Sequence, residues 1–117
     1  MDYRDLIAWQ RAMTLTELVY RWTSQLPIEE RYGLTSQLRR AAVAIPSNIA
    51  EGQGRRSSDA EFVRFLVIAM GSLCELETQV ELALRLGLMS RESVADVWRE
   101  TGEVGRLLNG LIRSKQQ

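Results

Sequence analysis

Between Ala8 and Leu26 the apolar residues Ala8, Ala12, Leu15, Val19, Trp22 and Leu26 follow one another at intervals of 4, 3, 4, 3 and 4. The same alternation returns at Phe62, Leu66, Ala69, Leu73, Leu76, Val80 and Ala83. A strand changes face at every residue, so this spacing fits a helix with one apolar seam and not a sheet. Two long seams of this kind oblige the chain to bury helix against helix.

Start and stop signals divide the sequence into four helices. Asp5 is a suitable N-cap for helix 1, which is expected to run to about Gln25. Pro27 and Gly33 bracket the connection to a second helix, expected from Leu34 to Glu51 with Leu38, Ala41, Ala42, Ile45 and Ile49 inward. Pro46 inside it removes a hydrogen bond to Ala42 and predicts a kink, with Asn48 placed to bond the freed backbone. Gly52 suits the position just past that helix. Ser58 and Glu61 form a capping box for helix 3, Gly87 ends it, and Ser90 caps helix 4. The last helix carries Val94, Trp98, Leu108 and Ile112 on one face, while Gly102, Gly105 and Gly110 each cost it about 1 kcal/mol against alanine. Short connections between long helices predict antiparallel neighbours. The expectation is an all-α chain, residues 1–117 forming a single antiparallel up-down-up-down four-helix bundle.

Two helices carry more apolar surface than one core needs. Helix 1 has a second stripe, Leu6, Trp9, Met13 and Tyr20, and helix 3 has another, Val63, Val67, Met70 and Cys74. From Phe62 to Met70 the only polar residue is Arg64. No helix of a four-helix bundle is enclosed on all sides, so these stripes are expected to meet another subunit, as a homo-oligomer. The alternative is that helix 3 is simply the central helix of its own bundle.

Composition restricts the chemistry. There is no histidine, which removes the usual general base, the Ser-His-Asp arrangement and the Glu-x-x-His pairs of di-iron bundles. A single cysteine, Cys74, excludes an intrachain disulfide and any thiolate-built metal cluster within one chain. Glu75, Glu77 and Glu81 read as a solvated or salt-bridged face and not as metal ligands. No phosphate-binding Gly-Lys-Ser/Thr loop is present. No apolar run approaches the length of a membrane span, and Met1 to Asp5 lack the basic start and apolar run of a signal peptide. The expectation is a cytoplasmic, non-enzymatic binding protein that needs no metal or cofactor.

The candidate binding residues are arginines. The chain has zero net charge, yet fourteen of its fifteen cationic side chains are Arg, the better residue for bidentate phosphate contacts. Arg39, Arg40, Arg55 and Arg56 fall within eighteen residues that hold one acid, Glu51. Arg55 and Arg56 precede the expected start of helix 3, whose backbone amides attract anions. The tract is therefore a candidate for weak contact with RNA or DNA phosphates. The alternatives are a solvated polar loop, or a protein-interaction module that meets no nucleic acid.

The segments Tyr32-Gly33-Leu34-Thr35-Ser36-Gln37-Leu38-Arg39-Arg40-Ala41-Ala42 and Ile45-Pro46-Ser47-Asn48-Ile49-Ala50-Glu51-Gly52 resemble the central signature of the four-helix-bundle proteins encoded within 23S ribosomal RNA intervening sequences. Asp5 to Gln10 is similar to that family's opening segment, and Ala69 to Gln79 to its third helix. The resemblance extends to about Leu88; the last helix agrees only in general character. It implies an up-down bundle assembled as a barrel-like homopentamer, and an association with ribosomal RNA genes. A related group, the accessory proteins of diversity-generating retroelements, binds nucleic acid through a strongly basic surface, from which this neutral chain departs. The family offers no established catalytic residues to carry over.

Overall fold

The computed structural model describes residues 2–55 and 57–116. Four helices account for most of them: α1 (Ile7–Thr23), α2 (Leu34–Arg55), α3 (Asp59–Arg85) and α4 (Arg91–Lys115). No strand occurs among the described residues. At about 1.5 Å per residue the longest helix measures roughly 40 Å, close to the 44 Å long dimension of the 44 × 23 × 20 Å body. The helices therefore run along the long axis, and the core is the space between them.

Every residue of the two opening seams is buried, from Ala8 to Leu26 and from Phe62 to Ala83. Leu38, Ala41, Ala42, Ile45 and Ile49 join them from α2, and Val94, Val97, Val104 and Leu108 from α4. Trp98 and Ile112, expected on the inner face of α4, are half-buried at the edge of this core. Each helix packs on its neighbour in sequence, and α1 packs on α4 to close the ring. The α1–α4 seam is pinned at two levels, by Trp22 Nε1 donating to Ser93 Oγ (2.6 Å) and by the Arg11–Glu100 ion pair (3.1 Å).

Three helix ends follow the sequence signals. Ser58 Oγ accepts from Glu61 N, and Ser90 Oγ accepts from Ser93 N. Gly87 adopts φ +74°, a left-handed conformation open to glycine. The amides of Gly87 and Leu88 then satisfy the carbonyls of Leu84 and Ala83, the double bond of a Schellman ending.

Three expectations are corrected. Asp5 does not cap α1: it closes a separate 3-10 turn, Tyr3–Asp5, which Asp2 caps, and extended Leu6 leads into a helix that ends at Thr23. Gly52 does not end α2, which continues to Arg55. It is buried inside the helix where α2 and α3 meet, and a Cβ there would stand 2.5 Å from Phe65 Cβ. The glycine is required for close approach, not for a turn. The third correction concerns Asn48, two residues beyond Pro46, which lies inside α2. Asn48 Nδ2 donates to Ala44 O and does not reach the carbonyl that Pro46 frees, that of Ala42. Thr16 Oγ1 on α1 stands 3.1 Å from that carbonyl and 2.8 Å from Ala12 O. The fourth helix stands as expected: α4 runs unbroken through its three glycines, and Gly105 faces Leu73, where a side chain would crowd the α3–α4 contact.

Candidate functional site

The arginine tract does not fold into one cluster. Arg39 and Arg55 are sixteen residues apart on the same helix, about 24 Å along its axis. Arg55 lies in the last turn of α2, ahead of the α2–α3 connection, and its guanidinium pairs with Glu51 at 2.9 Å. Arg56 lies outside the described residues. Arg39 and Arg40 stand near the other end of the helix, beside the connection from α1, and there the structure assembles a different basic group.

That connection is built residue by residue. Thr23 Oγ1 donates to Val19 O as α1 ends, and Leu26 turns back into the core. Pro27 begins the 3-10 turn Ile28–Glu30, and Glu30 Oε1 accepts from Leu34 N, capping α2. The path leaves a groove of about 680 Å³ between the end of α1, the connection and the first turns of α2. Arg31, Arg39 and Arg40 line it, with Tyr20 and Tyr32, and no carboxylate is among the described residues of its lining.

The three cations are held differently. Arg39 is fixed: Nε donates to Thr23 Oγ1 (2.9 Å), Nη2 donates to Tyr20 O (3.3 Å), and the guanidinium carbon stands 4.6 Å from the centre of the Tyr20 ring. This contact combines cation–π attraction with two hydrogen bonds, so the charge is positioned before any ligand arrives. Arg31 and Arg40 are exposed, and neither is within salt-bridge distance of an acid among the described residues. Tyr32 is 89% exposed and Ile28 72%. Sequence reasoning missed Arg31 and Tyr32, because neither shares a helix face with Arg39; only the folded connection brings them together.

The two apolar stripes are also redistributed. Trp9 and Met13 line a hollow of about 320 Å³ with Val43 and Pro46 of α2, and Trp9 meets Tyr3 edge-on at 5.4 Å. Leu6 belongs elsewhere, in a hollow shared with Leu107 and Leu111 of α4. Its extended backbone before α1 breaks the helical register that placed it with Trp9. Tyr20 belongs to the arginine groove. On α3, Val67 is 54% exposed and Val63 and Met70 are half-buried, while exposed Cys74 borders a hollow with Glu77, Glu81 and Trp98. Trp9 and Met13 thus open beside α2, while Leu6 and Cys74 border α4. Glu81 pairs with Arg85 at 2.9 Å, and no three metal-ligating side chains converge among the described residues. None of the helices among those residues is long and apolar enough to cross a membrane.

A solved structure gives the fold a counterpart. A protein of unknown function from the S23 ribosomal protein family of Bacteroides thetaiotaomicron VPI-5482 superposes with a TM-score of 0.81 at 23% identity, over 91% of this chain and 98% of that one. No curated protein matches. The profile of the 23S rRNA-intervening sequence protein family matches residues 4–110, and the chain belongs to that family.

Proposed function

We propose that this chain is a non-enzymatic, oligomeric, cytoplasmic binding protein that makes weak phosphate contacts with RNA or DNA. The observation that carries the reading is the groove where Arg31, Arg39 and Arg40 converge with no carboxylate in its described lining. A chain of zero net charge has no net attraction for a polyanion, so affinity must come from such a local group. Repetition of that group around an oligomer multiplies its effect.

The protomer reads as an up-down-up-down antiparallel bundle. Pairings between helices support this, because residue numbers rise on one helix as they fall on the next: Thr16 with Ala42 and Thr23 with Arg39, then Gln37 with Gln79 and Gly52 with Phe65. Apolar surface on two different faces favours head-to-tail contacts between unlike surfaces, the kind that close into rings. Five-fold closure is what the family resemblance adds.

Two measurements test the reading. Native mass spectrometry of the wild type is expected to show a homo-oligomer, a pentamer if the ring is right. Val67→Glu is expected to break it without unfolding the protomer, since Val67 is largely exposed. Fluorescence anisotropy with a structured RNA at low salt is expected to show weak binding that falls steeply as salt is added. The double variant Arg31→Glu/Arg40→Glu should lose it while keeping the oligomer. If that variant binds as well as wild type, the phosphate reading fails and a protein-interaction module takes its place. Replacing Arg55 and Arg56 by Glu reports separately on the far end of α2.

A further inference from the structure

We propose that the groove between α1 and α2 takes an unpaired stretch of nucleic acid, with a base stacked on Tyr32 and the flanking phosphates on Arg31 and Arg40. This rests on the phosphate-binding reading above and adds which form of nucleic acid fits.

The groove is not only basic. Tyr32, at 89% exposure, and Ile28, at 72%, present apolar surface within the same lining as the three arginines. A duplex offers its backbone charge but keeps its base faces stacked inside, so it could use the cations and leave the tyrosine and isoleucine unused. An unpaired strand offers phosphate and an accessible planar face within one nucleotide, which matches a lining that holds both. The two tyrosines are not equivalent. The Tyr20 ring already carries the Arg39 guanidinium, which is fixed by Thr23 and the Tyr20 carbonyl, so that pair forms a preset wall. Among the described residues no other ring or guanidinium stacks on Tyr32, which leaves its faces for a base. Nothing in the lining is arranged as a base-edge code, so stacking and charge would select strandedness and not sequence.

The test compares a fluorescently labelled oligoadenylate strand, the same strand annealed to oligouridylate, and inorganic polyphosphate as competitor, all at low salt and with the intact protein. The single strand is expected to bind more tightly than the duplex. Polyphosphate is expected to compete poorly at equal charge. Tyr32→Ala should weaken single-strand binding about tenfold, leave duplex binding unchanged, and be rescued by Tyr32→Phe, which keeps the ring. Its exposure makes unfolding no explanation of the loss. Equal affinity for strand and duplex, or a Tyr32→Ala variant that binds like wild type, overturns this inference while leaving the phosphate reading standing. Loss of no binding at all in Arg31→Glu/Arg40→Glu overturns both.

Discussion

Replacing Gly52 by alanine inserts a methyl group at the tightest point between α2 and α3. The added carbon would stand 2.5 Å from Phe65 Cβ, 3.1 Å from Phe65 Cγ and 3.1 Å from Phe62 Cδ1. Carbon atoms rest about 3.5–4.0 Å apart, so the first contact falls short by about 1 Å. A flexible side-chain tip could move aside, but a Cβ is fixed to the backbone of α3, and Phe62 and Phe65 are both buried. The helices must separate or slide. Overpacking costs about 1–3 kcal/mol, and a shortfall of about 1 Å against a carbon fixed to the backbone belongs in the upper half of that range, about 2–3 kcal/mol, against a helix-propensity gain of about 1 kcal/mol for alanine over glycine. The net expectation is a loss of about 1–2 kcal/mol, which for a domain of this size lowers Tm by about 4–8 °C. Gly102→Ala is the control, because nothing lies within 4 Å of its added carbon and only the propensity gain remains. It should raise stability by about 0.5–1 kcal/mol. Urea and thermal unfolding of the three proteins at one chain concentration would decide, since self-association of any of them would make its stability concentration-dependent. A Gly52→Ala variant as stable as wild type, or gaining as much as Gly102→Ala, would refute the close-approach argument.

Two other predictions come from single contacts. Thr16→Val should destabilise by about 1–3 kcal/mol by leaving the Ala42 carbonyl without its partner, and the loss should shrink in a Pro46→Ala background, where an amide at position 46 can again bond that carbonyl; a double-mutant cycle in urea with no coupling would sink this. Glu103 forms a two-pronged ion pair with Arg106, whose hydrogen bond holds its carboxyl below the ordinary carboxylate range. Its folded pKa is depressed, so the contribution to stability is present above the unfolded value and lost as pH falls through the folded one. A side-chain NMR titration of Glu103 should therefore show a low midpoint that returns toward normal in Arg106→Gln, and an unchanged midpoint would remove the pair as its cause.

What was legible in the sequence was what repeats along one helix. The seams at Ala8–Leu26 and Phe62–Ala83 are buried throughout because periodicity reports one face of one element, whatever it packs on. The caps at Ser58, Gly87 and Ser90 were legible for the same reason, as each is satisfied by its own turn. Gly52 and Asn48 were misread because the reason for them lies across a helix interface. A glycine that admits Phe65, and a threonine on α1 that serves a carbonyl beside Pro46, leave no mark in local spacing.

The arginines show the same division at the level of function. Nearness in sequence suggested one cluster, but one continuous helix carries Arg39 and Arg55 toward opposite ends, and Arg55 is drawn to Glu51 one turn away. Arg31 enters only because the ten residues between α1 and α2 fold back over the start of α2, with Leu26 anchored in the core and Glu30 capping the helix. A charge cluster read from sequence therefore predicts a site only where the intervening chain turns. Here the turn at Pro27 to Gly33 decides which cations share a surface, and it selects Arg31 with Arg39 and Arg40.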